Sequence, residues 1–297
     1  MRLAERLEKG VFTTIVEIFP PNFSAEASKE PLLGLRQKTQ DIVARVKKVE
    51  NLADCVLVAD MKDIGRLKLS SIYTAAILRQ ELDTEVIPVI AARDGNRSAL
   101  RTLFLSALSY GLDSVMLVWG DRYNEGEGSA NVYDYPSLSK AIREMRELAD
   151  RADVKATILA PVNLATLGTP KGDEIASSRI ASGADCLLAQ PPTSDLSETL
   201  PQQVRVLEEK NLKGRVLLNV FPFRDREDIE ACRQRFRWNL PPALDAMAEE
   251  GGEARLLKES RSVVERMRAE GLPGVYVSTR GKPELARYML DGSAASP

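Results

Sequence analysis

Glu17 stands where an apolar strand should carry no charge. In Ile15-Val16-Glu17-Ile18-Phe19-Pro20-Pro21 it interrupts a β-branched run, and two prolines follow almost at once. Charged side chains stay inside such runs when they are paired or used. Proline cannot donate to a ladder, so strand pairing ends just behind the acid. A carboxyl shielded by apolar neighbours at a strand's C-terminal end has its pKa pushed upward, which suits a general acid near neutrality. The structural alternative is an ion pair with Arg93 or another basic residue.

Further polar residues follow other apolar runs: Asp60, Arg93, Asp94, Asp121 in Trp119-Gly120-Asp121, Asn163, Gln190, Ser278 and Thr279. Each has a plain reading as well. Asp60 and Asp94 could cap helices or shape turns. Arg93 beside Asp94 could be a local ion pair of little worth. Gln190, before Pro191-Pro192, could serve backbone groups, and Asp121 could be a turn aspartate. Gly120 ahead of it suits close approach of a backbone to a ligand. One shared site accounts for all of these residues together.

The elements that must position them alternate. Candidate strands are Thr13–Phe19, Cys55–Asp60, Glu85–Ala92, Ser114–Gly120, Lys155–Val162, Cys186–Gln190, Arg215–Phe221 and Gly274–Thr279. Amphipathic stretches lie between them, including Thr39–Leu52, Ser98–Tyr110, Pro136–Ala149, Leu200–Lys210 and Arg255–Glu270. Eight strands with intervening helices predict a (β/α)8 TIM barrel, with a doubly wound open sheet as the alternative. A single barrel domain is expected over residues 1-297, with loop elaborations near 122-131, 163-172 and 237-252. The small, polar tail Gly292–Pro297 is expected to fray.

Composition narrows the chemistry. The chain of 297 residues has no histidine, which removes Ser-His-Asp and Cys-His nucleophile systems and every His-based metal site. No metal site is expected. Acid–base work falls to Asp, Glu, Lys, Tyr or water. A net charge of −2 provides no basic field for nucleic acid or an anionic membrane. The opening MRLAERLEKG lacks a signal-peptide core, and no run approaches a membrane span. Cys55, Cys186 and Cys232 are isolated, so reduced thiols and a cytoplasmic location are expected. The Gly168-Thr169-Pro170-Lys171-Gly172 segment lacks P-loop spacing, and no G-x-G-x-x-G follows a strand.

Several segments together resemble the 5,10-methylenetetrahydrofolate reductases, flavoprotein barrels of one-carbon metabolism. They are Val16-Glu17-Ile18-Phe19-Pro20-Pro21, Val58-Ala59-Asp60, Pro88 through Arg97, Gly120-Asp121, Val132-Tyr133-Asp134, Ile180 through Asp185 leading to Gln190-Pro191, and Gly274 through Gly281. They occur in the family's order over about residues 12 to 290 and look most like the branch fused to homocysteine methyltransferases. The resemblance implies reduction of methylene- to methyl-tetrahydrofolate, or the reverse, by hydride transfer through FAD, with NADH or another electron donor. Glu17 would be the general acid and Asp121 a second catalytic residue tuning pterin and flavin. Gln190, Asn163 and Thr279 would bind substrate. Asp60, Arg93, Gly120, Tyr133 and Arg179 would contact FAD. A homo-oligomer or a partner methyltransferase is also implied.

Departures from the family pattern fall mostly on expected flavin contacts: Trp119 before Gly120-Asp121, Val89 and Ala91 on the third strand, and Ala160-Pro161-Val162-Asn163 after the fifth. Two alternatives keep the folate and drop the flavin. One is a flavin-independent C1-tetrahydrofolate enzyme, such as a methyltransferase acting with a partner. The other is a non-catalytic folate-binding subunit.

Overall fold

The computed structural model describes residues 1–23, 31–61, 67–127, 129–190, 199–236, 238 and 240–291. Its strands are β1 Thr13–Ile18, β2 Cys55–Val58, β3 Glu85–Ala91, β4 Ser114–Val118, β5 Thr157–Asn163, β6 Cys186–Gln190, β7 Val216–Val220 and β8 Gly274–Val277. They pair in chain order, all parallel, and close through β8 onto β1. This is the (β/α)8 barrel, and closure excludes the open doubly wound sheet. The helices are α1 Leu3–Glu8, α2 Pro31–Lys47, α3 Ser71–Glu81, α4 Arg97–Ser109, α5 Leu138–Arg151, α6 Pro170–Ala181, α7 Thr199–Glu209, α8 Arg226–Phe236, α9 Ala243–Ala269 and α10 Ala286–Leu290.

The strands read as nearly unbroken apolar runs because both of their faces are covered. Ile15, Leu57, Ile87, Val89, Met116, Leu159, Leu188 and Leu217 fill the barrel interior, joined by Cys55, Cys186 and Tyr276. The alternate residues, such as Val16, Val56, Ile90, Leu117, Ile158, Leu187 and Val275, pack beneath the helices. Each aliphatic side chain sealed in this way stabilises the barrel by about 1.5–3 kcal/mol. Leu3 of α1 belongs to the interior cluster, and its N–H donates to the Glu85 carboxylate at 2.6 Å. The short first helix therefore stoppers the N-terminal end. The opposite end, where the strands point, stays available to chemistry.

Strand ends shift from their sequence-based bounds by at most two residues. The larger difference lies in 163–172, read as loop, where α6 begins at Pro170. Thr169 caps this helix by accepting from the Gly172 N–H at 3.2 Å. A Cβ on Gly172 would stand 2.0 Å from the Thr166 carbonyl, so only glycine fits there. Within 237–252, α9 already begins at Ala243 and breaks at Gly252, whose φ is 55°. Arg237, Pro191-Pro192 and the tail Gly292–Pro297 lie outside the described residues.

Cys55, Cys186 and Cys232 are buried, and none forms a disulfide. No helix among the described residues is long and apolar enough to cross a membrane.

Candidate active site

Glu17 is the penultimate residue of β1 and falls on the interior-facing alternation set by Ile15. It is 8% exposed, and its partners are hydroxyls. The Tyr276 phenol donates to Oε1, and the Ser278 hydroxyl donates to Oε2 at 2.7 Å. The Thr279 hydroxyl donates to the Glu17 backbone carbonyl at 2.5 Å and fastens the strand under the acid. The ion pair with Arg93, open on sequence grounds, is not formed: that guanidinium is held by Asp94. Burial raises the Glu17 pKa, and hydrogen bonds from Tyr276, Ser278 and the Arg280 backbone only partly oppose the rise. Burial and the adjacent Glu17 charge hold the Tyr276 phenol well above its ordinary value, so it remains a donor. The chemistry on offer is a carboxyl able to keep a proton and deliver it at the barrel mouth.

Two members of this cluster escaped sequence reasoning, Tyr276 and Asn219. Both stand on the interior alternation of their strands, as Glu17 does. Tyr276 was hidden by its apolar ring. Asn219 is uncharged, so it broke the β7 run less conspicuously. The available signal was parity: Asn219 is two residues beyond the interior Leu217. It is 0% exposed, and neither amide atom has a hydrogen-bond partner. Burying an unsatisfied amide costs about 1–3 kcal/mol.

Strand register sets the carboxamides in a row. Asn163 pairs with Gln190 across β5 and β6. Leu188 pairs with Leu217 across β6 and β7, so Gln190 falls opposite Asn219 when that register is continued. Asn219 in turn pairs with Tyr276 across β7 and β8. Asn163 and Gln190 are exposed, and Asn163 Oδ1 accepts from the Ala165 N–H at 2.9 Å. The row runs from exposed amides, through a buried one, to the phenol that holds Glu17.

Apart from Arg179, the remaining predicted residues gather on the other flank. Asp60 accepts from the Ala91 N–H at 3.2 Å and pairs with Lys68 at 3.4 Å. Burial raises the Asp60 pKa and lowers that of Lys68. Arg93, 1% exposed, donates to Asp94 through Nε at 2.7 Å and through Nη2, and to the Asp121 carbonyl at 3.1 Å. Its guanidinium also lies 4.8 Å over the Tyr123 ring. Asp121 itself is exposed, and no hydrogen bond among the described residues joins it to Glu17. Gly120 has φ 83°, and a Cβ there would stand 2.9 Å from that of Arg93. The Tyr133 phenol donates to the Gly120 carbonyl at 2.8 Å, and its ring stacks on Trp119 at 4.9 Å. Arg179, on α6, donates to the Pro161 carbonyl, and burial lowers its pKa. A cavity of about 430 Å³ lined by Met61, Lys68, Asp94, Tyr123, Ser129 and Ala130 opens on this flank.

No family model matches the chain, and no curated protein matches it. Among solved structures it is similar to an uncharacterized protein from Clostridium thermocellum that binds two copies of 5-methyl-5,6,7,8-tetrahydrofolic acid. That likeness has 14% identity and a TM-score of 0.66, over 96% of this chain and 97% of the other. A phosphonopyruvate hydrolase in complex with oxalate and Mg++ gives 14% identity and a TM-score of 0.53, over 96% and 81%. A 2,3-dimethylmalate lyase, a PEP mutase/isocitrate lyase superfamily member, gives 14% identity over 92% and 87%, but its TM-score of 0.49 carries no argument.

These matches overturn the reductase resemblance. The two of them with a TM-score above 0.5 are likenesses to a folate-binding protein and to a phosphonopyruvate hydrolase, not to methylenetetrahydrofolate reductases. The FAD-dependent oxidoreductase, with hydride supplied by NADH or another donor, does not hold. At 14% identity the likeness itself establishes the barrel and no activity. The physical reason for the misreading lies in where the motifs fall. Most lie at strand ends, and the barrel uses their residues for its own bonds. Gly120 admits Arg93, Arg93 holds Asp94 and the Asp121 carbonyl, and Tyr133 and Arg179 each donate to a backbone carbonyl. With its polar groups engaged in this way, the donor set does not fit a flavin. Nor do three or more His, Cys, Asp or Glu side chains among the described residues gather as a cation site.

Proposed function

We propose that this barrel binds a reduced folate at the Glu17 flank of its mouth and serves flavin-independent one-carbon transfer to a separate acceptor protein. The observation that carries the reading is the Glu17 carboxyl, buried against Tyr276 and Ser278 with its pKa raised. The similar Clostridium thermocellum protein, which binds 5-methyl-5,6,7,8-tetrahydrofolic acid, supports the choice of ligand.

Methyl transfer from 5-methyltetrahydrofolate needs a proton where the leaving group forms. The N5–CH3 bond breaks as a nucleophile of the acceptor takes the methyl group. A proton from Glu17 on N5 lets tetrahydrofolate leave as a neutral amine, and solvent then returns a proton to the carboxylate. Tyr276 and Ser278 orient the carboxyl and stabilise its ionised form once the proton has gone. Thr279 acts beneath them by fixing the Glu17 backbone. Gln190 and Asn163, exposed at the ends of adjacent strands, hydrogen-bond the folate in this reading.

Calorimetric titration of the purified protein with 5-methyltetrahydrofolate, paired with a visible spectrum, tests the reading. Saturable binding by a colourless protein is the expected result. A folded protein that binds no tetrahydrofolate, or that binds one only after reconstitution with FAD, contradicts it.

A further inference from the structure

Asn219 is the least explained polar residue in the barrel. Buried amides are hydrogen-bonded in the great majority of cases, and an exception needs a reason. Here both amide atoms are unpartnered at 0% exposure, although a phenol lies beside them across the β7–β8 ladder. That phenol is committed to Glu17. Below Asn219 the interior is apolar, with Leu217, Leu188 and Ile15. A residue selected for stability alone would be another aliphatic, as at the interior positions Leu217 and Leu188 below it. The protein keeps instead a side chain with one acceptor and two donors at the inner end of a row that opens through Gln190.

We propose that Asn219 is a specificity-determining residue that reads the leading edge of the bound ring. A carboxamide matches a heterocycle edge with a donor next to an acceptor, as in a lactam –NH–C(=O)–. Two parallel hydrogen bonds form, the amide oxygen accepting and the amide N–H donating. By register the exposed Gln190 falls opposite Asn219 on the neighbouring strand, so the ring approaches the buried amide past that side chain. The inference rests on the reduced-folate reading, since a pterin ring carries such an edge. It adds a residue that neither the sequence motifs nor the similar structures assign. Selectivity follows from the same geometry: a ligand lacking the edge leaves the amide unsatisfied and is rejected.

Two variants and two readouts test it. Asn219→Leu removes both polar atoms at similar branching, and Asn219→Ala removes them without adding bulk. Removing unsatisfied buried polar atoms should leave the unliganded melting temperature of the Leu variant equal to or above that of the wild type. Affinity for 5-methyltetrahydrofolate, read by calorimetry, should fall tenfold or more in both variants. Wild-type and Ala proteins binding within twofold of each other would overturn the role of Asn219 and leave the folate reading standing. So would a sharp drop in melting temperature in both variants with the affinity kept, which would make Asn219 a structural amide. A wild-type protein that binds no 5-methyltetrahydrofolate would instead overturn the folate reading, and this inference with it.

Discussion

On the β2–β4 flank of the mouth, the buried and half-buried charges among the described residues have opposite charges beside them: Lys68 by Asp60, and Arg93 by Asp94. On the flank formed by β7, β8 and β1, the buried Asp228 is likewise paired, with Arg224 and Arg280, but the Glu17 carboxyl meets only a phenol, a hydroxyl and backbone groups, with an unpartnered amide nearby. The charges of the β2–β4 flank are paired, although the buried Lys68 Nζ makes no hydrogen bond, and removing Arg93 would strand Asp94. The Glu17 flank keeps a carboxyl whose protonation can vary and an amide that no protein group uses. Catalysis needs groups whose state or partner changes, so the quieter flank is the better candidate for chemistry. The showier set of charges reads as scaffold.

That contrast breaks first at Glu17. Glu17→Gln keeps the shape and removes the proton donor, and should lower methyl transfer by about 10²–10⁴-fold in a steady-state assay. Its stability should respond differently with pH. Because the folded pKa of Glu17 is raised above its ordinary 4.5, the wild type has this group's full contribution below that value and loses it as pH rises through the folded value. The Gln variant should lose less, so melting curves of the two proteins should diverge in its favour toward alkaline pH. Parallel curves would show that Glu17 is not held neutral.

On the opposite flank the large effect should fall on stability. Arg93→Met strands Asp94 and withdraws a donor from the Asp121 carbonyl. Urea denaturation should show a loss of about 3 kcal/mol, tempered by the partial exposure of Asp94. Folate affinity should change less than threefold. A variant as stable as the wild type would mean that this ion pair is not scaffold.

Smaller effects sharpen the picture. Tyr276→Phe deletes a hydrogen bond that lowers the Glu17 pKa, so the alkaline limb of the activity profile should move to higher pH, by about one unit for a bond worth roughly 1.5 kcal/mol. A shift to lower pH would reverse the assigned role of the phenol. Lys68→Met should change stability by no more than about 1 kcal/mol, because its pairing with Asp60 is long and its buried Nζ makes no hydrogen bond.

The barrel was legible because parallel strands covered on both faces leave short apolar blocks, and all eight blocks could be placed from the sequence. Glu17 was legible for the same reason, as a charge inside such a block. Asn219 and Tyr276 were not, since an amide and a phenol break an apolar run only weakly. Their meaning came from register, which joins residues 57 positions apart. The start of α6 was obscured because Gly168 through Gly172 has loop composition, and the helix depends on a Thr169 cap and on the space that Gly172 leaves for Thr166. The flavin assignment failed on residues such as Gly120 and Arg93, whose types answer to packing between strand ends. Motifs of that kind report a barrel before they report a cofactor.

The account turns on a neutral Glu17 facing a reduced folate. The direct test is titration of wild-type and Glu17→Gln proteins with 5-methyltetrahydrofolate across a series of pH values, with no flavin present. Wild-type affinity should hold at acid pH and fall above the raised Glu17 pKa, by up to about tenfold per pH unit, while that of the Gln variant stays flat. Identical profiles for the two proteins, or no binding by the wild type at any pH, would contradict it.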